Sequence, residues 1–483
     1  MFRLVTPRYF AVILVQVAAL SLIRSSKRHH LFSSGMSVDA PTNRRLPTLR
    51  TMGSTISSIS DGDDGQEDTA VFTRSQVEDH VKAMVQRAKE GIPLTEEEIQ
   101  DIVNGAQNLL PKNAPVDFNG LQGLLKEVAH LSHKDWGVTS SNSDKLLETL
   151  SISSADKRHH DDYPLTPHAR QFLERILADG NWDGAVAAAK SRPTDQSPWA
   201  VLVTGVNGIR KTTSMYQPWF PRLLAEALIA PKTDAYDDTS SSGKKQKTEP
   251  MSPDSLPTGS NSFFRQLDHM ICTVCNEEFC RLYKWAASEL PEHTEGEEMP
   301  APSEETVEKY SDYKAAIFSR YRTLSELLGA LLLKQAQLVD INCMMETSGR
   351  DVAMFHYVDH FFDDTTDYNK LALHFTVNDL ACAQQSVDRR MIQEIQAGAK
   401  AIESGNAFDV VYTNEGGPYG SKVLAGVQKD SDHVWEEEVM SGKVGQDWYK
   451  ATIAINAHPT EPWTAQAVKP DGSLGTIFTF ERK

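Results

Sequence analysis

The sequence predicts a mixed α/β fold: a mostly parallel sheet with helices on both faces, preceded by an all-helical stretch and followed by a small antiparallel β appendage. Three observations predict it. Short apolar runs alternate with helical periodicity between residues 200 and 414, the pattern of parallel strands joined by crossover helices. Residues 73–192 carry helical periodicity alone. Near the C-terminus, two alternating runs meet at a Pro-Asp-Gly turn, a hairpin signature.

The order of elements begins with helices. SQVEDHVKAMVQRAKEG places Val77, Val81, Met84 and Val85 on one stripe and ends at a glycine. PLTEEEIQDIVNGAQNLL offers Thr95 as N-cap and Glu98 three residues later as its capping-box partner. TPHARQFLERILADG and NWDGAVAAAKS continue the pattern. AVLVTG (200–205) is then a fully apolar run of the kind that forms a buried parallel strand. KTTSMYQPWFPRLLAEALIA reads as helical at both ends, with two prolines between. The polar, Pro- and Ser-rich residues 231–262 read as a disordered insert; the GKKQK run within them reads as solvated loop rather than an anion patch. FFRQLDHMICTVCNEEFCRLYKW reads as an amphipathic helix. INCMME (341–346), KLALHFTV (370–377) and AFDVVYTN (407–414) are further strands, each preceded by a helical segment. The domain division that follows is 73–195 helical, 196–430 the α/β core, and 431–483 the hairpin appendage.

Composition narrows the class. A chain of 483 residues exceeds one ordinary core. Its formal charge of −17 excludes a general nucleic-acid binder, which needs a basic footprint. The charge is uneven: residues 1–50 hold eight Lys or Arg against the single acid Asp39. Within residues 1–52, the apolar run FAVILVQVAALSLI is too short for a stable membrane span. It suits the h-region of a signal peptide, and the Arg- and Ser-rich stretch behind it suits a transit peptide. Residues 1–52 therefore read as a cleaved targeting segment for a plastid or mitochondrion, and translation from Met36 or Met52 would instead leave the protein in the cytoplasm. Residues 53–72 read as a disordered linker. The five cysteines show no disulfide framework. His269, Cys272, Cys275 and Cys280 form no complete zinc motif and read as helix residues with buried thiols, and His356 with His360 lacks a third ligand.

One stretch carries most of the chemistry. TGVNGIRKTT (204–213) follows the first strand and opens a helix, the order needed for main-chain N–H groups to surround an anion while a lysine adds a point charge. Gly205, Lys211 and Thr212 fall on the register glycine, four free positions, glycine, lysine, serine or threonine. Arg210 occupies the second glycine's place, and an ordinary helical φ there would tolerate its side chain. Gly205 can make the turn, Gly208 can bring the backbone close to a phosphate, and Thr212 is in place to hold magnesium.

The loop resembles those of P-loop NTPases. GVNGIRKTT and METSGRD (345–351) are similar to two motifs of the signal-recognition-particle GTPases, but TVND (376–379) lacks the lysine of that class's guanine-reading motif. The arrangement is more similar to the P-loop kinases, the zeta-toxin-like group in particular, over roughly residues 198–420. That resemblance implies a P-loop core that binds ATP, or GTP, with magnesium and transfers phosphate to a small-molecule acceptor. Gly205, Asn207, Gly208, Arg210, Lys211, Thr212 and Thr213 would bind the nucleotide, with Thr212 on magnesium. Asp268, Glu346, Thr347, Arg389 and Arg390 would serve the reaction: an acid to take the acceptor's proton, a strand-end Glu-Thr pair, and two lid arginines. Read from the residues alone, Asp268 is equally a solvated helix acid, and Arg389 and Arg390 are equally ordinary helix arginines. Asn414, Glu415 and GGPYG follow the last expected strand, where ligands of open α/β sheets bind. A GTP- or ATP-hydrolysing switch and a non-catalytic nucleotide-binding scaffold are the alternatives.

Overall fold

A computed structural model of the chain describes residues 73–114, 116–128, 135–151, 165–231, 251–292 and 299–481. The expected targeting segment 1–52, the linker 53–72 and most of the expected insert, 232–250, lie outside the described residues.

Among the described residues, seven helices precede the first strand: α1 (Arg74–Glu90), α2 (Glu96–Asn108), α3 (Phe118–Val128), α4 (Trp136–Ser151), α5 (Pro167–Phe172), α6 (Glu174–Asp179) and α7 (Trp182–Ser191). Their starts follow capping chemistry. Thr73 and Thr95 each form a capping box, with Gln76 and Glu98, and Gly91 ends α1 in the left-handed conformation only glycine adopts freely. The chain then alternates through β1 (Trp199–Thr204), α8 (Lys211–Met215), α9 (Phe220–Ala227), β2 (Ser262–Arg265), α10 (Leu267–Val274), α11 (Asn276–Ser288), α12 (Glu304–Gln337), β3 (Asn342–Glu346), α13 (Ala353–Phe361), β4 (Asn369–Val377), α14 (Leu380–Ser404), α15 (Ala407–Thr413), α16 (Leu424–Val434), β5 (Tyr449–Asn456), β6 (Thr464–Val468) and β7 (Leu474–Thr479).

The strands form one seven-stranded sheet in the order β2-β3-β1-β4-β5-β6-β7. The first five in that order run parallel, and β6 and β7 are antiparallel. β1 is central and every one of its residues is buried. One face of the sheet packs through Leu202, Phe263 and Met345 onto a core that also takes Val77, Ile99, Trp182 and Leu328. The other face packs through Val201, Val203 and Phe264 onto Phe220, Leu223 and Leu224 of α9. The described residues thus form one compact unit. No helix among the described residues is long and apolar enough to cross a membrane.

Four expectations are corrected. AFDVVYT is helix α15, not a strand, with Asn414 at its end: the Asn406 side chain caps Phe408, and within the helix only Val410 and Val411 are buried. FFRQLDHMICTVCNEEFCRLYKW opens with strand β2 and continues as two helices meeting at Cys275. Of the expected insert, residues 251–262 are ordered, because Leu256 is buried and short 3-10 turns at Pro253–Ser255 and Gly259–Asn261 lead into β2. The expected β appendage joins the main sheet, since β5, unmarked in the sequence reading, pairs with β4 over Leu371–Val377 and carries β6 and β7 outward.

Buried charge also ties the layers together. Lys314 of α12 and Glu394 of α14 are both fully buried and paired at 2.8 Å. Arg320 of α12 grips both carboxylate oxygens of Glu98 of α2 at 2.9 and 2.6 Å. Removing one member of a buried pair leaves a desolvated charge, so Lys314→Met should cost about 3–5 kcal/mol in urea denaturation. The double change with Glu394→Leu should recover part of that loss.

Candidate functional site

The parallel register sets the site. Val203 pairs with Glu346, and the Thr347 N–H donates to Val203 O at 2.9 Å, so β3 ends beside the chain leaving β1. Behind them, the Thr204 hydroxyl meets His374 Nδ1 at 2.9 Å, and His374 Nε2 meets Asp432 of α16 at 3.2 Å.

The 205–212 loop turns sharply at Gly205 (φ +123°) and Gly208 (φ +84°). A Cβ at either glycine would lie 2.5 Å from a main-chain oxygen, that of Phe375 or Ala383 respectively. These positions therefore require glycine. Arg210 also takes a left-handed backbone, at φ +62°. The helical φ expected there is thus corrected: Arg210 holds a conformation that glycine adopts most freely. For a non-glycine residue this costs roughly 1–2 kcal/mol. Its guanidinium leaves the loop and lies over the rings of Trp463 and Phe480, 4.5 and 5.5 Å from their centroids. Such contacts return about 0.5–2 kcal/mol. The N–H groups of Gly208, Ile209, Arg210, Lys211 and Thr212 donate to no protein acceptor among the described residues. The helix they lead into is only five residues long, so the loop N–H groups rather than a long helix dipole would meet an anion.

Lys211 is buried under this loop. Its ammonium donates to Gly205 O at 2.8 Å and Val206 O at 2.7 Å and pairs with Glu346 Oε1 at 3.1 Å. The Thr212 hydroxyl donates to the other oxygen, Glu346 Oε2, at 3.0 Å. Burial lowers the Lys211 pKa from its ordinary value while the Glu346 carboxylate opposes. At Glu346 burial works to raise the pKa, but Lys211 and Thr212 outweigh it and hold the carboxyl below its usual value.

Asp268, in the first turn of α10, arrives from the other side. The Gly417 N–H donates to its Oδ2 at 2.6 Å, and Asn414 Nδ2 donates to its main-chain oxygen at 3.1 Å. Residues 414–417 are held in turn by the buried pair: Glu394 accepts the Glu415 N–H at 2.9 Å and the Tyr310 hydroxyl at 2.5 Å, and Lys314 donates to Gly416 O at 3.4 Å. Burial pushes the Asp268 carboxyl above the usual carboxylate range, against the Gly417 N–H and the Lys314 ammonium. The field of Arg390 reaches Asp268, Glu346 and Lys211 alike.

The residues expected to act together thus separate into two groups. Lys211, Thr212, Glu346, Asp268 and Arg390 converge, and Asn207 lies with Arg390 beside Gly417, where a Cβ would be 3.7 and 3.8 Å from their nitrogens. Arg389 faces Arg210 instead. Thr347 extends the strand pairing, its hydroxyl accepting the Gly349 N–H at 3.4 Å, and Thr213 is exposed. Sequence reasoning missed Lys314 and Glu394, although each is a charge on the buried stripe of its helix. Arg350, from the METSGRD stretch, lies with its guanidinium 5.5 Å from the Tyr419 ring centroid. Cys272 and Cys275 are buried free thiols, and among the described residues no group of three or more His, Cys, Asp or Glu side chains could hold a metal ion.

Comparison with known proteins gives no match: no family model, no curated protein and no solved structure matches the chain.

The raised Asp268 pKa makes a signed prediction. A carboxyl that holds its proton more tightly in the folded state stabilises the fold fully below the unfolded pKa, near 3.8, and loses that contribution as pH rises through the folded value. Asp268→Asn keeps an oxygen for the Gly417 N–H and carries no charge. It should melt at a higher temperature than the wild type at pH 7, and the difference should shrink to nothing as the pH is lowered to about 3.

Proposed function

We propose that the chain is a nucleotide-binding P-loop protein, and that it acts as an ATP-dependent phosphotransferase on a small-molecule acceptor. The observation that carries this reading is the Lys211–Glu346 pair, with Thr212 on the other carboxylate oxygen, beneath a loop of unpaired N–H groups at the carboxyl ends of the parallel strands. That is the edge where ligands of open α/β sheets bind, and β1 lies there between β3 and β4, where the chain crosses from one side of β1 to the other.

The residues fit a polyphosphate. Unpaired loop N–H groups, glycines that admit no side chain, and a buried ammonium are the parts an anion site needs. Thr212 and Glu346 supply adjoining oxygens for magnesium. Bound magnesium would neutralise phosphate charge. The two carboxyl groups divide the labour because their surroundings push them apart. Glu346, held low beside Lys211, suits a cation, whereas Asp268, raised by burial, is the more basic of the two and suits the uptake of an acceptor's proton. Arg390 adds positive charge where the transferred group would become more negative.

Arrangement favours transfer over a guanine-nucleotide switch. In the TVND stretch, Asn378 Oδ1 accepts the Ala457 N–H at 2.6 Å and Asp379 caps α14 through the Ala381 N–H at 2.9 Å. Both side chains are occupied in holding the fold.

Calorimetric titration of the full chain with magnesium and ATP, beside Lys211→Ala, tests the site. The variant should bind at least about tenfold more weakly, because it loses both a positive charge beneath the loop and the partner that holds the Gly205 and Val206 carbonyls in place; equal affinity shows that the loop is not the nucleotide site. With γ-labelled ATP and a panel of sugars and sugar nucleotides, label should reach an acceptor. Asp268→Asn should slow that transfer by about a hundredfold or more while binding ATP as the wild type does.

A further inference from the structure

The loop depends on a contact far away in the chain. Arg210 is one of three non-glycine residues with positive φ among the described residues, with Asn181 and Asp340. Its side chain makes no hydrogen bond or ion pair there; its close partners are the faces of Trp463 and Phe480. The cationic neighbour Arg389 repels it and cannot hold it in place. The aromatic cage is firmly built. Trp463 and Phe480 are buried, and the Phe480 N–H donates to Trp463 O at 3.2 Å, closing the end of β7 onto the start of β6. The Trp463 indole N–H donates to His458 O at 3.0 Å. The same cage is fastened to the chain that follows the loop. Trp219 lies edge-on to Phe480 at 5.4 Å, its indole N–H donates to Thr479 O at 3.0 Å, and the Glu481 N–H donates to Gln217 Oε1 at 3.1 Å.

We propose that Trp463 and Phe480 are positioning residues for nucleotide binding: by holding the Arg210 guanidinium outside the loop, they keep residue 210 in the left-handed conformation that leaves the loop N–H groups open to phosphate. This rests on the reading of the loop as a nucleotide site. A glycine at position 210 adopts that conformation without help. An arginine there relaxes to negative φ unless its side chain is retained, and the carbonyl and N–H directions on both sides of residue 210 turn with it. The C-terminal strand pair thereby becomes part of the binding site without touching the ligand.

A double-mutant cycle on the full chain tests this, with magnesium–ATP affinity read by calorimetry and folding followed by thermal melting. Trp463→Leu keeps apolar bulk and removes the ring face. It should weaken binding by about tenfold in the Arg210 background, the scale of one lost cation–π contact and its conformational consequence. In the Arg210→Gly background the same change should alter affinity less than about twofold, because no guanidinium remains to be held. Phe480→Leu, a smaller lesion, should show the same dependence on residue 210 with a weaker effect, which covers the case in which the Trp463 variant does not fold. Equal losses in the two backgrounds, or no loss in either, overturn the proposal. Absence of magnesium–ATP and magnesium–GTP binding by the wild type is a different result: it removes the nucleotide reading itself, and this inference with it.

Discussion

A single buried ammonium organises the centre of this protein. Lys211 is fully enclosed, and an enclosed charge persists only where partners replace its water. Two of those partners are carbonyls of its own loop, Gly205 and Val206, and the third is Glu346. Because a trans peptide points its C=O and N–H in opposite directions, turning these carbonyls toward Lys211 turns the N–H groups of Val206 and Asn207 away from it. The lysine thus shapes the loop it sits beneath. The positive φ values at Gly205, Gly208 and Arg210 are the local cost of wrapping the chain around it. Glu346 can complete the arrangement only because the β1–β3 register sets it level with Val203.

Two acids in one small space are shifted in opposite directions by what lies nearest. Glu346 has an ammonium and a hydroxyl on its two oxygens. Asp268 has one main-chain N–H, and the cations around it act from farther off: Lys314 is committed to Glu394, and Arg390 is shared with the loop. The Lys314–Glu394 pair accordingly does its work at one remove. It fixes residues 415 and 416, and the neighbouring Gly417 N–H reaches Asp268. Burying that pair is expensive in isolation, and here the ions also satisfy main-chain groups that would otherwise be orphaned.

How much of this was legible in the sequence depended on the range of the interactions. β1, β3 and β4 read directly, because central parallel strands buried on both faces are continuous apolar runs. β2 did not: it is four residues long, ends in an arginine, and passes into a helix within two residues. Arg265 can be buried there because Glu326 of α12 meets it, a partner no local pattern reveals. β5 alternates buried and half-buried residues and was hidden among polar neighbours. Residues 407–413 failed the other way, since a short apolar run does not distinguish strand from helix, and the decisive signal was the Asn406 cap. In the site, Lys211, Glu346, Asp268 and Arg390 were readable by residue type, and their convergence needed the sheet. The Arg210 cage was illegible, for Trp463 and Phe480 carry no spacing that relates them to the loop.

The outer strands give that cage its rigidity. A sheet edge ordinarily offers unpaired groups to other chains, and β7 exposes Leu474 and Ile477 there. Glu226 of α9 reaches across to accept the Thr476 N–H at 2.8 Å and its hydroxyl at 2.9 Å, which closes part of the edge and ties it to the helix packed beneath. From α9 the connection runs back to the loop through Trp219, stacked on Phe478 at 5.4 Å. A glycine at position 210 would reach the left-handed well freely, and it would also leave it freely, since glycine loses the most conformational freedom on ordering. An arginine anchored to this wall has fewer ways to leave. With an arginine at position 210, the left-handed turn thus rests on a distant, fixed aromatic surface and not on the freedom of a glycine.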